Sequence, residues 1–406
     1  MPATLPILIA GGGIGGLAAA LALSQAGRAV QVIERTAGGN EAGAGIQLGP
    51  NAVKVLRGLG IADAVQAVAS IPEALVVRAG ATGQILSQMQ LGSQIERRHG
   101  APYWVVHRAD LHRVLKEACS ASPLITQSAG RTVETVAAMG AAGVTVSCSD
   151  GTQLAGMALI GADGLWSRAR TYVDPRLQLK PSGYCAFRAL LPVARAGILA
   201  SPVVGAWLSA RAHVVHYPVR GGREINVVVI SRDEAVLDVW SAGARPTEVT
   251  AAVADFAPDM ARALGAITGW QKWSLAEPVT LRNWTRGPVA LLGDAAHAML
   301  PFFAQGGAMA LEDAAVLAQC VAASGQDLPE AFEQYAKARQ TRVARVQAAS
   351  SANGRIFHMS GPAALARDTA LQLMPQALLQ ARFDWLYGYD ACASRSDRGH
   401  TGAVNP

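Results

Sequence analysis

The sequence predicts a mixed α/β (α+β) protein: a parallel-sheet α/β domain, an antiparallel β-sheet inserted into it, and a helical C-terminal segment. Three observations carry this. Near the start, LPILIAGGGIGGLAAALALSQAGRAVQVIER reads as an apolar strand, a Gly-rich turn, an Ala-rich helix and a second strand. Between Tyr184 and Arg232 the pattern changes to alternating β-branched runs separated by turn residues such as Arg-Gly-Gly-Arg, the signature of hairpins. Late in the chain, VALLGDAAHAMLPFFAQGGAMALED (289–313) returns to an apolar strand followed by a Gly-led helix. The boundaries that follow are 1–180 for the first part of the α/β domain, 181–275 for the inserted sheet, 276–350 for the second part and 351–406 for the C-terminal helical segment. With 406 residues, 51% of them hydrophobic, the chain can bury cores for two or three such units.

Composition removes several classes of function. The net charge is +6, yet Lys and Arg are scattered and aromatics make up only 5%, so no nucleic-acid surface is expected. Cys119, Cys148, Cys185, Cys320 and Cys392 lie far apart with no CxxC pair, which points to reduced thiols in a cytoplasm and to no metal site. Leu5 to Gly27 carries no charge and has the length of a membrane helix. Its central glycines fit a strand, turn and helix better, and it lacks the basic start of a signal peptide, so no membrane association is expected.

The glycines Gly11, Gly13 and Gly16 form a GxGxxG, with Gly15 inside the turn. The first permits a tight turn, the second lets a pyrophosphate reach the backbone, and the third lets helix and strand pack closely. Glu34 ends the second strand where an acid would meet a ribose hydroxyl, with Arg35 beside it. Together these predict a Rossmann-like dinucleotide-binding unit; a turn serving packing alone is the other reading. The motif does not separate NAD from FAD.

Ile160 to Arg170, IGADGLWSRAR, places Asp163 and Gly164 in a turn before a helix. GGGIGG early, GADG in the middle and GDAAH late, in that order, resemble the family of single-component (group A) FAD-dependent aromatic hydroxylases, over nearly the whole chain. The resemblance implies noncovalent FAD, with NADH or NADPH as a transient co-substrate, since no second GxGxxG unit exists. It implies Glu34 at the adenosine ribose, Asp294 on the ribityl chain, and a helix from Gly306 or Gly307 whose N-terminus faces the pyrimidine side of the flavin, with Gly307 and Ala308 at the cofactor. Pro301 would lie over the ring near the site of oxygen reaction, and His297 would be structural. Gln47 would face the ring or its ribityl chain. Arg108 would contact the flavin chain, or be a salt-bridge arginine before a helix capped by Asp110. Asp163 would serve flavin and nicotinamide, or simply hold its turn.

His213 and Tyr217, four apart on a predicted strand, share a face, and His216 takes the other. The segment AHVVHYPVRGG resembles the strand of 3-hydroxybenzoate 6-hydroxylases in which the first His acts on the substrate phenol and the Tyr contacts it. Salicylate hydroxylases share the His and the PVR but tend to carry Phe for the Tyr. A base with a pKa near working pH would make the phenol nucleophilic toward a flavin C4a-hydroperoxide. Set against that is a histidine satisfied within its strand. The chain carries Pro301 where 3-hydroxybenzoate 6-hydroxylases tend to have Gln, which leaves substrate and ring position open. Arg188 would pair with a substrate carboxylate or brace the domain interface. FDWLYGYD, near the end, is expected to pack over the substrate domain. The expected activity is hydroxylation of a small phenolic aromatic acid with O2. The alternatives are a related FAD monooxygenase acting on a heteroaromatic acid or a non-aromatic substrate, and a nonenzymatic redox sensor. A homodimer is one assembly open to the chain.

Overall fold

The computed structural model describes residues 5–36, 44–140, 143–233 and 242–393. Glu41, Ala42 and Gly43 of the segment expected beside the flavin, and 394–406 of the C-terminal segment, lie outside the described residues. The uncharged Leu5–Gly27 stretch divides into the strand Ile7–Ala10 and the helix Ile14–Gln25. That strand is central in a six-stranded sheet, flanked by Val30–Glu34 and Ile125–Ala129 on one side and by Ala158–Gly161, Val289–Leu291 and Thr285–Arg286 on the other. All pairings are parallel except the last. Helices cover both faces, so strands such as ILIA, ALIG and VAL are fully buried and read as continuous apolar runs. The parallel register aligns Ala10, Ile33, Gly161 and Leu291. Gly11, Glu34, Asp163 and Asp294 therefore emerge along one carboxyl edge, the crevice where such sheets take ligands.

The helix Gly306–Ala323 lies against Ile14–Gln25. A Cβ on Gly15 would come 2.7 Å from Leu292 Cδ2 and 3.2 Å from Ala310 Cβ, so this glycine sets their close approach. Gly306–Ala323 is long and apolar enough to cross a membrane by composition, but 72% of it is buried inside the protein as a core helix.

The second sheet has eight strands in the order Ala242–Gly243, Gln271–Ala276, Pro181–Pro192, Glu224–Arg232, Ala212–Val219, Val204–Leu208, Ala74–Ala79 and Ile85–Gln90. The last two come from the segment assigned to the first α/β part. Ala74–Ala79 joins in parallel to Val204–Leu208, a pairing that local patterning cannot reveal. Ala212–Val219 and Glu224–Arg232 form a hairpin through Arg220, Gly221 and Gly222, all with positive φ (54°, 66° and 83°). One face of the sheet packs Phe187, Val214, Val227 and Val229 on the helices Pro246–Ala252 and Pro258–Gly265 through Val249 and Leu264. The opposite face carries Tyr184, Arg188, His213, Tyr217 and Trp273 toward the α/β domain.

The 30-residue helix Leu328–Phe357 runs along Gly306–Ala323. FDWLYGYD does not cover the substrate domain as expected. Arg342 donates to the carbonyls of Trp385 (3.1 Å) and Leu386 (3.0 Å) and lies 3.8 Å over the Tyr389 ring. Arg345 stacks on Trp385, and Asp384 pairs with Arg98 at 2.6 Å. The aromatics are thus drawn to guanidinium faces on the α/β domain, partners that a run of aromatic residues does not specify.

Candidate active site

Gly11 has φ +102°, and a Cβ there would sit 2.4 Å from Ala162 O; a Cβ on Gly16 would sit 2.0 Å from Gly11 O. Nothing lies within 4 Å of a Cβ on Gly13, so the middle of the turn is open to an approaching group. The helix that follows has no side-chain cap and no acid in its first turn, leaving its N–H groups for an anion. Glu34 Oε2 accepts from Gly12 N at 2.7 Å and Oε1 from Thr36 N at 2.8 Å, with Arg35 exposed beside it. His112 Nε2 meets Gly12 O at 2.7 Å from the neighbouring helix, a contact without a sequence signal.

The Asp163 carboxylate accepts from Ser167 Oγ, Arg168 N (2.7 Å) and Ala169 N (3.1 Å), which is the geometry of a clamp on its own turn. Arg170, missed in the sequence, joins the two acidic motifs: Nη1 donates to Asp294 O (3.3 Å) and Ala295 O (3.1 Å), and Nη2 to Leu165 O. Burial lowers its pKa, while Asp163 and Asp294 act to raise it. Asp294 opens the turn of helix Asp294–His297 with its side chain exposed at the sheet edge. His297 points inward, 2.5 Å from Asp313 Oδ2.

Pro301 begins a 3-10 turn, Pro301–Phe303, and the long helix pins its carbonyls: Ser350 Oγ donates to Leu300 O (2.6 Å) and Asn353 Nδ2 to Phe302 O (3.2 Å). The helix Gly306–Ala323 then starts from Gln305 without a side-chain cap. Gly307 lets Ile46 approach, since a Cβ would meet its Cδ1 at 2.5 Å, and Ala308 is fully buried. Gln47 Oε1 accepts from Tyr103 Oη at 2.6 Å. Arg108 is the first residue of helix Arg108–Ala121, its side chain exposed. The cap of that helix is His107; Asp110 lies inside the first turn and meets Arg220 at 3.4 Å, because the preceding strand runs up to His107 and leaves no room for a later start.

On the second sheet, Tyr217 is buried with its ring against Gly45, where a Cβ would lie 2.4 Å from Cε2. Burial pushes its hydroxyl pKa up, opposed by Arg188 and a hydrogen bond to Gln47. Arg188 lies 4.9 Å over the Trp273 ring, and its buried Nε has no hydrogen-bond partner. Burial lowers its pKa, Tyr217 counteracts this, and Arg108 adds to it. His213 is 1% exposed; Nδ1 lies 3.0 Å from His358 Nε2, and the ring packs on Phe302 and Phe357. The expectation of a pKa near working pH is corrected here: burial first, and the neighbouring His358 second, push it well below the ordinary histidine value. His216, on the far face, accepts from Trp207 Nε1 at 3.2 Å.

A family profile described as an FAD binding domain matches residues 4–350. The chain belongs to the single-component FAD-dependent aromatic hydroxylases. It is 34% identical to a 3-hydroxybenzoate 6-hydroxylase of Polaromonas naphthalenivorans, over 96% of this chain and 97% of that one. It is 37% identical to a 3-amino-4-hydroxybenzoate 2-monooxygenase of Streptomyces platensis, over 95% and 96%. Among solved structures, Klebsiella pneumoniae HpxO complexed with FAD and uric acid matches with a TM-score of 0.83 at 26% identity, covering 94% of this chain and 96% of that one.

FAD fits the residues that face the crevice of this hydroxylase. Two helix starts lack side-chain caps, the approach to Gly13 is open, and the Asp294 carboxylate is exposed at the same edge. An acceptor carboxylate suits ribityl hydroxyls, and the uncapped N–H groups suit pyrophosphate and the anionic side of a reduced flavin. Asp294→Ala should weaken FAD retention by about 10- to 150-fold, the loss of a charge-assisted bond of about 1.5–3 kcal/mol. The ratio of flavin to protein absorbance after gel filtration reads this, and wild-type occupancy would mean that the carboxylate points elsewhere.

Proposed function

We propose that this hydroxylase acts on a small phenolic aromatic acid of the hydroxybenzoate type, drawing electrons from NAD(P)H. One observation carries the reading: Arg188, half-buried with its Nε sealed from water and unpartnered, has no anionic partner among the described residues and shares a sheet face with Tyr217 and His213. A partly desolvated cation of this kind calls for a carboxylate, and a ring held by it would present its hydroxyl to the tyrosine and histidine. Bound FAD, reduced by NAD(P)H and met by O2, supplies the electrophilic oxygen. Arg188 fixes the acid, Tyr217 orients the phenol oxygen, and His213, neutral through burial, accepts the phenol proton at Nε2. Pro301 and its pinned turn shape the wall toward the flavin. The names of the two relatives, both hydroxybenzoate enzymes, support this substrate class. Four of the five thiols are buried, in keeping with work in a reducing cytoplasm.

The test is NAD(P)H oxidation stimulated by a panel of hydroxybenzoates and heteroaromatic acids, with products weighed by mass spectrometry. Arg188→Gln should raise KM for the preferred acid by about 10- to 150-fold, the value of a charged hydrogen bond. The KM for the corresponding phenol without a carboxylate should scarcely move. An equal loss for both ligands would assign Arg188 to bracing the sheet through Trp273.

A further inference from the structure

We infer that His358 passes the substrate proton from His213 to solvent, a step that rests on the proposed reading of His213 as base. His213 is almost sealed from water. It is 1% exposed and enclosed by Phe302, Phe357 and His358, and its one hydrogen bond among the described residues is Nδ1 to His358 Nε2, 3.0 Å. His358 follows the end of the long helix and lies 7% exposed, stacked on Tyr184. It also lines a cavity of about 620 Å³ whose wall includes Ser360, Arg232, Asp233, Lys272 and Glu248. The histidine pair thus bridges the flavin-side face of the sheet and a polar cavity at its rim.

The need for an outlet follows from burial. Desolvation disfavours imidazolium at His213, so the ring can accept a proton but cannot store one. His358 is likewise held low, at about 4, by burial first and then by Arg232 and Arg367, so it too transmits charge rather than keeping it. The proton balance is simple. With Nδ1–H donated to His358, His213 Nε2 is bare and takes the proton as the phenol O–H bond breaks. The Nδ1–H bond breaks in turn, its proton forms the Nε2–H bond of His358, and His358 Nδ1, which is buried with no hydrogen-bond partner of its own, gives up its proton to a water admitted from the neighbouring cavity. Both rings end neutral with tautomers exchanged, and His213 Nε2–H now donates to the phenolate. Reprotonation of the product runs the same path backward and resets the pair. Besides His213, the titratable or charged groups against His358 are Tyr184, Arg232 and Arg367.

The experiment mixes oxidised holoenzyme with 3-hydroxybenzoate, or with the panel member that gives coupled turnover, in weak buffer. Phenolate absorbance and a pH-indicator dye are followed by stopped flow. His358→Gln retains a carbonyl that accepts from His213 Nδ1 but cannot relay; phenolate formation and proton release should slow by at least about tenfold while the ligand Kd changes little. His358→Ala should slow similarly and recover with added imidazole, which the neighbouring cavity can admit. If both His358 variants release the proton at the wild-type rate while His213→Ala does not, the relay is overturned and the base reading stands. If His213→Ala also releases it at the wild-type rate, the base reading itself falls.

Discussion

His213→Ala should retain FAD and continue to oxidise NAD(P)H while hydroxylated product falls by about a hundredfold, the usual contribution of a lost general base. On the proposed reading, neither flavin binding nor its reduction involves the second sheet's histidine. Transfer to the ring does, because phenol is a far weaker nucleophile than phenolate. Oxygen already reduced would then leave as hydrogen peroxide, so peroxide per NAD(P)H should rise toward unity as product declines. The substitution also removes packing against Phe302 and Phe357, and the flavin spectrum and thermal midpoint measured on the same sample separate that cost from the chemistry. A variant that stays tightly coupled would return His213 to a packing role.

A second large effect is expected in stability. Asp313, Glu312 and Arg339 are all 0% exposed, and Arg339 donates to Asp313 Oδ1 and Glu312 Oε2 at 2.7 Å each. Glu312 also accepts from Arg342 and from Asn51, and Asp313 from Gly293 N and His297. Burial alone would raise the Asp313 carboxyl, but the attraction of His297 and Arg339 and their hydrogen bonds hold it down at about 2. Asp313→Asn leaves Arg339 and His297 facing a neutral amide, and breaking a buried pair in this way costs about 3–5 kcal/mol. Urea unfolding should report that loss. The depressed pKa makes the stabilisation present above the ordinary value of 3.8 and lost as pH falls from there through about 2, so the acid limb of the wild-type stability profile should flatten in the variant. A variant within about 1 kcal/mol of wild type would show that an isosteric amide suffices.

Much of the flavin crevice was legible because its chemistry is local. Gly11 and Gly16 are required by contacts that any tight strand-to-helix turn makes, and Glu34 and Asp294 stand at strand ends that apolar runs mark clearly. The alternation through Ala212–Val219 also gave the faces of His213, Tyr217 and His216. What escaped depends on contacts between distant segments. Arg170 reaches Asp294 across more than a hundred residues, and His358 meets His213 from the end of a long helix. Neither has a spacing that announces it. The Glu312–Asp313 pair lies within an otherwise apolar helix, and only the facing helix makes it a buried anchor.

The seam between Val204–Leu208 and Ala74–Ala79 limits how this enzyme can be recombined with its relatives. Exchanging residues 181–275 as a cassette would carry six of the eight strands and leave Ala74–Ala79 and Ile85–Gln90 behind to pair with a foreign neighbour. A mismatch there would uncover a strand edge in the middle of the sheet. Specificity swaps that keep the fold intact therefore take 74–90 along with the inserted strands. The natural unit of exchange is discontinuous in sequence although continuous in space.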